Sequence, residues 1–303
     1  MTRCLPLPVI FAIATSAASA QIVYLNDTFA DLDRTNQALP GSAQWTFGAH
    51  NGTAANAFAS LNAGSGALLW DHTGPVSPAG NTFSAIWSHF AASGSPVSLA
   101  VGETITLTFD VSFAVAGGFL TSAGAFRFAL FNSNGVRTTT DFAGTSEPGI
   151  ASGTTFSGWR GYEAQTPLSN VLTGAAGTND FLTRERTGTG NGLFTSTNWT
   201  PNASSAVVEP LFASATTYQG FLSVSRTGAG AIIQAGINGA LTNSFVDSTA
   251  AVISFDTIAF FELDGLTKDS TIDNVSVSVV PEPGTAWLLA GGLLGMIRRR
   301  RRS

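Results

Sequence analysis

Apolar and polar residues alternate along much of this 303-residue chain. The longest alternating run covers residues 103–113, where threonine, aspartate and serine separate the apolar positions. Those apolar positions are Ile105, Leu107, Phe109, Val111 and Phe113. Successive side chains of a strand point to opposite faces, so the run predicts a strand with one buried face. Comparable runs lie at residues 126–131, 218–225, 231–237, 252–263 and 271–279.

Turn residues separate these runs. Residues 133–135 (Ser-Asn-Gly) and the glycine-rich residues 227–230 each lie between apolar runs. Asn238-Gly239 predicts a tight hairpin, because both residue types tolerate positive φ. Many short strands joined by glycine-rich turns, without helical spacing or an internal repeat, predict an all-β fold. We expect an antiparallel, jelly-roll-like β-sandwich that forms one domain over residues 21–279.

The stretch 173–201 is richer in glycine, threonine and asparagine than the rest of the body. It predicts either a surface loop at one end of the sandwich, where binding residues often lie, or an insertion without function. Trp159, Tyr162 and Trp199 are candidates for stacking on sugar rings. Tryptophan in a sandwich is more often part of the core, so the exposure of these side chains decides between the two interpretations.

The first 20 residues have the three parts of a secretory signal peptide. Arg3 gives a basic start, residues 4–14 form an apolar core too short to span a bilayer, and an A-x-A sequence ends at Ala20. This predicts export through a translocon and cleavage between Ala20 and Gln21 by a signal peptidase. The single cysteine, Cys4, lies in this leader, so the mature chain is expected to have no disulfide and no thiolate metal site.

Residues 280–303 combine the tripeptide Pro281-Glu282-Pro283 with an apolar stretch at 285–297 and a final arginine cluster. The arginines are Arg298, Arg299, Arg300, Arg301 and Arg302. Arginines after an apolar helix resist translocation and stop the chain in the membrane. The pattern therefore predicts a short C-terminal transmembrane helix, with a permanent inner-membrane anchor as the alternative interpretation.

This arrangement resembles the PEP-CTERM sorting signal, which has the same tripeptide, helix and arginine cluster in the same order at the end of a chain. The resemblance implies that an exosortase recognises Pro281, Glu282 and Pro283 and removes the helix. It also implies transient anchoring in the inner membrane of a Gram-negative bacterium. The processed protein would then reach the cell surface or the exopolysaccharide matrix of a biofilm.

The two ends of the body carry a second resemblance. Residues 26–31 (Asn-Asp-Thr-Phe-Ala-Asp) and 271–277 (Thr-Ile-Asp-Asn-Val-Ser-Val) look like the first and last strands of lectin-like jelly rolls. Such domains are similar to concanavalin A-like folds and carbohydrate-binding modules. The resemblance implies that the first and last strands of the body lie side by side.

Residues that could carry catalysis are few. The three histidines show no metal-ligand spacing and are expected on loops or at the surface. They are His50, His72 and His89. Glu262 and Asp264 match the first two carboxylates of the E-x-D-x-x-E pattern of jelly-roll glycosidases, but Thr267 stands at the third position. A retaining mechanism needs a second carboxyl group as proton donor, so we predict that the body is not an enzyme.

No cofactor is predicted. Asp27, Asp31, Asp33 and Asp273 could offer oxygen ligands to calcium, although their spacing matches no defined loop. The net charge of −5 is spread along the body, and the concentrated positive charge sits at the C-terminus. This distribution argues against nucleic acid as a partner.

Three hypotheses about function follow from these features. The leading one is an exported structural or adhesive protein of the cell surface or extracellular matrix. The second is a lectin-like module whose partner is an extracellular polysaccharide. The third is a jelly-roll glycosidase, which requires Glu262 to face another carboxyl group across a cleft.

Overall fold

The computed structural model describes residues 20–50, 61–71, 83–114, 125–144, 156–167, 181–193, 198–204, 212–263 and 269–281. In these residues the chain forms two large sheets and a separate two-stranded ribbon. The ribbon pairs β6 (Val97–Ser98) with β16 (Ser254–Phe255). The predicted all-β class with antiparallel strands is confirmed.

Sheet 1 contains the first and last strands of the described chain. Its strands are β1 (Ile22–Asp27), β3 (Leu61–Asn62), β4 (Leu68–Asp71), β7 (Glu103–Ala114), β13 (Thr217–Thr227), β14 (Gly230–Ile237), β15 (Ala240–Asp247) and β18 (Asp269–Pro281). They follow the order β15-β14-β13-β7-β18-β4-β3, and β1 also pairs with β18. The two long strands β7 and β18 therefore lie next to each other in the middle of the sheet.

Sheet 2 contains the other eight strands. They are β2 (Trp45–His50), β5 (Phe83–His89), β8 (Ala125–Asn132), β9 (Phe142–Gly144), β10 (Arg160–Pro167), β11 (Leu182–Arg186), β12 (Trp199–Ser204) and β17 (Thr257–Leu263). Their order is β12-β11-β10-β8-β17-β5-β2-β9. The short edge strand β9 runs parallel to β2, whereas the other neighbours in this sheet are antiparallel.

The inner faces of the two sheets pack against each other through phenylalanine rings. Phe109 of sheet 1 lies 5.0 Å from Phe128 and 4.8 Å from Phe260 of sheet 2, measured between ring centroids. Both contacts are edge-to-face, the geometry that aromatic quadrupoles favour. Gly220 makes room for this ring, because a Cβ atom there would come within 2.1 Å of Phe109. The alternation read in β7 thus places its apolar residues in the sandwich core.

The terminal strands pair as the sequence predicts. Ile22 lies opposite Val279 and Asp27 opposite Val275 in the antiparallel register of β1 and β18. The hairpin at Asn238-Gly239 is also confirmed, with φ of 56° and 70° at the two residues. It joins β14 to β15.

Two expectations do not hold. The stretch 173–201 was expected to be a loop or insertion, but its described parts supply β11 and the start of β12 to sheet 2. Phe181 and Leu193 from this stretch are fully buried. His89 was expected on a loop or at the surface, yet it lies in β5 and is buried. The side chain of His50 and all of His72 lie outside the described residues.

Candidate functional site

The outer face of sheet 1 carries an open groove of about 620 Å³, formed where β1, β18, β7 and β13 run side by side. The side chains that point into it are those that alternate with the buried core positions. They are Asn26, Thr106, Thr108, Asp110, Gln219, Phe221, Asn274 and Ser276. We call these eight residues the open groove. All of them are exposed or half-buried.

Strand register brings the groove residues together in two rows. Thr108 in the middle strand lies opposite Phe221 on one side and Ser276 on the other. Asp110 lies opposite Gln219 in the same way. Side chains directly opposite each other on antiparallel strands are close enough to act on one ligand. The register therefore concentrates hydroxyl, amide and carboxylate groups from three strands on one surface.

A bulge in β18 brings Asn274 into the groove. The pairing with β7 shifts between Asp273 and Ser276, and Asn274 adopts a positive φ of 49°. Its Nδ2 donates a hydrogen bond of 2.8 Å to Oδ2 of Asp110. Bulges re-aim side chains in this way and are frequent next to functional sites. The result is a fixed carboxylate–amide pair at the surface of the sheet.

Phe221 is the aromatic member of the groove. Its ring lies over Gly236 on the neighbouring strand, where a Cβ atom would come within 2.6 Å of the ring. The ring is half-buried rather than enclosed. An aromatic face beside fixed hydrogen-bonding groups is the combination that recognises a sugar ring, which has apolar C–H faces and polar hydroxyl edges.

The outer face of sheet 2 is closed, in contrast to that of sheet 1. A second apolar cluster covers it, made by side chains of β5, β8 and β17 with residues from the segments 156–159 and 193–199. Its members are Ala85, Trp87, Ala129, Phe131, Phe156, Trp159, Leu193, Trp199, Ala259 and Phe261. We call this set the covering cluster. Sheet 2 is consequently buried on both faces in this region.

The three aromatic residues proposed for sugar stacking are all buried. Trp159 and Trp199 belong to the covering cluster, where their rings lie 5.5 Å and 5.8 Å from that of Phe131. Tyr162 faces the sandwich interior, and its hydroxyl donates to Asp247 Oδ2 at 2.7 Å. Burial raises the pKa of this hydroxyl above its ordinary value. Enclosed rings cannot stack on a sugar, so their burial counts against that role.

A charged cluster lies beside the covering cluster on the same face. Glu163 is 1% exposed and has Arg127 Nη1 at 3.4 Å and Arg184 Nη1 at 3.6 Å from its Oε1. Neither of its oxygens makes a hydrogen bond to the described residues, and the same holds for Oε1 of Gln165. Burial raises the pKa of the Glu163 carboxyl, and the charges of the nearby arginines oppose that shift without cancelling it.

The geometry of Glu262 bears on the glycosidase hypothesis. Glu262 lies in β17 opposite Phe126, and its side chain is buried between the sheets. Its Oε1 accepts a hydrogen bond from the hydroxyl of Ser270 in sheet 1. A carboxylate held between the sheets does not face a substrate cleft. Asp264 and Thr267 lie outside the described residues.

Three of the four aspartates proposed for calcium stabilise their own loop, whereas Asp273 lies in β18 and accepts a hydrogen bond from the amide of Asn274. Asp27 is buried and accepts hydrogen bonds from the backbone of Phe29 and Ala43 and from Trp45 Nε1. Burial raises its pKa, and these donors act in the opposite direction. Asp31 and Asp33 accept hydrogen bonds within residues 31–42. Within the described ranges, no group of three acidic, histidine or cysteine residues is arranged to hold a metal ion.

The processing residues lie at the limits of the described chain. Ala20 and Gln21 are exposed and directly precede β1. Pro281 is the last residue of β18, whereas Glu282, Pro283 and the five arginines lie outside the described residues. In the part of the chain that the structure describes, no helix is long and apolar enough to cross a bilayer.

Sequence reasoning missed both clusters of polar side chains. The alternation in β7 predicts that Thr108 and Asp110 lie on the outer face of the sheet, but it does not indicate a binding site there. The signal for the charged cluster was Arg127 and Glu163 within aromatic strands of a chain that is only 11% charged. Charged residues in buried strands are rare unless they are paired, so their presence there indicates a buried charged cluster.

The architecture defines a class, that of two-sheet antiparallel β-sandwich proteins. Residues 279–302 match the model of the PEP-CTERM protein-sorting motif. This confirms the sorting signal predicted at the C-terminus and implies an exported surface protein that an exosortase processes. No curated protein matches the sequence of the chain.

Several solved structures are similar to the chain. The potassium-bound carbohydrate recognition domain of Emp46p is 14% identical, with 86% of this chain and 96% of that chain covered and a TM-score of 0.47. A Bacillus subtilis protein of unknown function with a galectin-like fold is 12% identical, with 79% and 91% covered and a TM-score of 0.45. An endo-1,3-beta-glucanase from Streptomyces sioyaensis is 10% identical, with 92% and 100% covered and a TM-score of 0.43.

Proposed function

We propose that this chain is a structural or adhesive protein of the cell surface or extracellular matrix that holds polysaccharide in the open groove of sheet 1. Export through the translocon, cleavage after Ala20 and transient anchoring in the inner membrane of a Gram-negative cell precede exosortase processing. The body itself performs no catalysis in this proposal.

One observation carries the binding part of the proposal. Phe221 and the Asp110–Asn274 pair share a single open surface, with Gln219 and Thr108 between them in register. A polysaccharide is long, so it needs a surface that is open at both ends rather than an enclosed pocket. The covering cluster closes the outer face of sheet 2, whereas the groove on sheet 1 is open to solvent.

The chemistry of the groove favours uncharged sugar units. Amide groups of Asn26, Gln219 and Asn274 can donate and accept hydrogen bonds, and the hydroxyls of Thr108 and Ser276 can do the same. The carboxylate of Asp110, which also lines the groove, accepts hydrogen bonds only. Among the residues that the structure describes, no cation lines this groove to neutralise an acidic sugar. We therefore expect hexose polymers to bind more tightly than polyuronates.

The test is binding of the full-length chain to the exopolysaccharide of its own host. Phe221→Ala should weaken binding about tenfold, equivalent to about 1.4 kcal/mol, because the stacking face is lost. Asp110→Asn should weaken it by a smaller factor. Val246→Ala, an exposed apolar residue of β15 outside the groove, is the matched control. Unchanged binding in both groove variants would overturn the proposed site.

The sorting part of the proposal is tested separately by intact mass. Protein released from the surface of the native host should lack residues 1–20 and the segment after about Pro283. The same protein from a strain without the exosortase should keep its C-terminus. A full C-terminus in both strains would indicate a permanent membrane anchor.

The non-catalytic part is tested by incubating the chain with the bound polysaccharide and measuring new reducing ends. We expect none above the background of a heat-denatured sample. Release of reducing ends that is lost in Glu262→Gln would instead support the glycosidase hypothesis.

A further inference from the structure

One end of sheet 1 concentrates exposed apolar side chains. Among the described residues, eight large apolar side chains are exposed, and half of them lie at this end. They are Ile22 (50% exposed), Val23 (41%), Val101 (57%) and Val280 (40%). We call these four residues the junction patch. Single exposed apolar residues are ordinary, but a group of them in one place marks an interaction surface.

Antiparallel pairing assembles the junction patch. β1 begins where β18 ends, with Ile22 opposite Val279 and Val23 opposite Ser278. On the other side of β18, Val280 lies opposite Thr104 and Pro281 opposite Glu103. The turn before β7 adds Val101 to this end of the sheet. A hydrogen bond of 2.7 Å from the Ala100 amide to Glu103 Oε2 fixes that turn.

Both processing junctions of the chain lie at the same end. The predicted signal-peptidase site between Ala20 and Gln21 directly precedes β1. The matched sorting motif begins at residue 279, inside β18, and its first proline is the last residue of that strand. The start of β1 and the end of β18 therefore lie side by side, which brings the two junctions to one end of the sheet.

The chain between the sandwich and the predicted membrane segment is very short. Only residues 282–284 lie between Pro281 and Thr285, where the apolar stretch begins, so the two residues are four Cα–Cα steps apart. Even fully extended, they span at most about 14 Å. While that stretch is in the bilayer, this end of the sandwich is consequently held at the level of the lipid headgroups.

We propose that the junction patch docks on the phospholipid bilayer while the chain is still attached to it. Its valine and isoleucine side chains enter the boundary between headgroups and acyl chains, as the apolar faces of peripheral proteins do. The side chain of Glu103, the nearby acidic group, is turned back onto its own loop by the bond to Ala100. Docking fixes the orientation of the sandwich, and the sorting tripeptide then sits at the membrane surface where a membrane-embedded enzyme can reach it.

The experiment uses the full-length chain in vesicles of phosphatidylethanolamine and phosphatidylglycerol. In a Cys4→Ser background, Val101→Cys is labelled with an environment-sensitive fluorophore, and Val246→Cys provides an equally exposed control on β15. We expect the label at position 101 to be quenched by spin-labelled acyl chains and protected several-fold from aqueous iodide. The label at position 246 should show the reverse.

Three outcomes would overturn the proposal. The first is a label at position 101 that iodide reaches as readily as the label at position 246. The second is protection of position 101 without lipid that grows with protein concentration, which would indicate a second copy of the chain as the occupant. The third is protection that requires the exosortase in the vesicle, which would indicate a protein partner.

A second variant tests whether the patch acts as a unit. With the label on Val23→Cys, the further change Val101→Asp should restore iodide access, because a carboxylate opposes insertion of the whole patch. Val246→Asp in the same labelled chain should change nothing. If Val101→Asp also leaves position 23 protected, the patch does not act as a unit and the proposal fails.

Discussion

The two outer faces of the sandwich differ in what covers them. On sheet 2, the covering cluster and the charged cluster bury the outer face of its central strands. On sheet 1, the equivalent face presents threonine, asparagine, glutamine and aspartate side chains to solvent around one half-buried phenylalanine. Both sheets contribute the same kind of inner face to the core. The difference therefore lies outside the core, in the segments that fold over one sheet and not the other.

This contrast separates stability from recognition. Burial of apolar surface is the main favourable term in folding. Sheet 2 therefore gains stability from the covering cluster in addition to its inner face, whereas sheet 1 gains it from its inner face. The open face contributes little to folding and is free to present hydrogen-bonding groups to a ligand. Substitutions on the two faces should accordingly change different measured quantities.

The largest effect is expected for Trp87→Ala in the covering cluster. The ring is fully buried, and its Nε1 donates to the Thr138 carbonyl at 2.7 Å. Truncation should lower the free energy of unfolding by about 3–5 kcal/mol, as for other buried tryptophans. Denaturant titration measures it. Phe221→Ala on the open face should cost clearly less, and equal losses for the two variants would remove the distinction between the faces.

The next effect concerns pH and His89. Burial lowers the pKa of His89 to about 4, helped by the positive charge of Arg137 and opposed by Asp256. Since the unfolded chain binds a proton near pH 6.5, this neutral histidine should cost stability as the pH falls from about 6.5 to about 4, by roughly 3 kcal/mol in total. Unfolding titrations across that range should show the loss. His89→Gln should flatten the slope, and a slope that persists would assign it to another group.

Glu163 should act in the opposite direction. Its folded-state pKa is raised, so the folded protein binds this proton more tightly than the unfolded chain and loses stability as the pH rises above about 4.5. Glu163→Gln should therefore gain stability relative to the wild type as the pH increases. Burial is the main cause of the raised pKa, and the charges of Arg127 and Arg184 oppose it. A relative loss at higher pH would show that the arginines dominate.

The smallest effect is expected at Asn274 on the open face. Its positive φ of 49° suits asparagine and glycine but strains a β-branched residue. Asn274→Gly should change the unfolding free energy by less than about 0.5 kcal/mol, and Asn274→Val should lower it by about 1 kcal/mol. Both should weaken polysaccharide binding, because both lose the amide. Thermal unfolding together with a binding assay distinguishes the two effects.

Local pattern was sufficient to predict four strands of sheet 1, namely β7, β13, β14 and β18, whereas β3 and β4 were not predicted. Residues 103–113 alternate without interruption, and Asn238-Gly239 adopts the turn that its residue types favour. β11 and β12 could not be predicted, because side-chain contacts far apart in sequence hold their surroundings in place. The buried Arg186 guanidinium donates hydrogen bonds to the carbonyls of Trp159, Phe156 and Gly192. No local propensity encodes such contacts.

The candidate site was predictable only in part. The polar positions of β7 follow from its alternation, so Thr108 and Asp110 could be assigned to an outer face. That Phe221 would stand beside Thr108 depends on strand order and register. The contact of Asn274 with Asp110 depends on a bulge in β18 that the sequence pattern does not predict. Trp159 and Trp199 were candidates for sugar stacking because their rings are large and apolar, and the same property favours their burial.

The position of β18 also constrains the order of events in the life of the chain. This strand is made last among the described elements, yet it pairs with β7, β1 and β4 in the interior of sheet 1. Until it arrives, β1 and β7 lack the partner that joins them, and such long-range pairing is slow to form. The sandwich therefore cannot close before translation has reached the sorting motif. Because the sorting motif begins inside β18, the strand that completes the fold also carries the start of the sorting signal. A chain truncated before β18 would lack both.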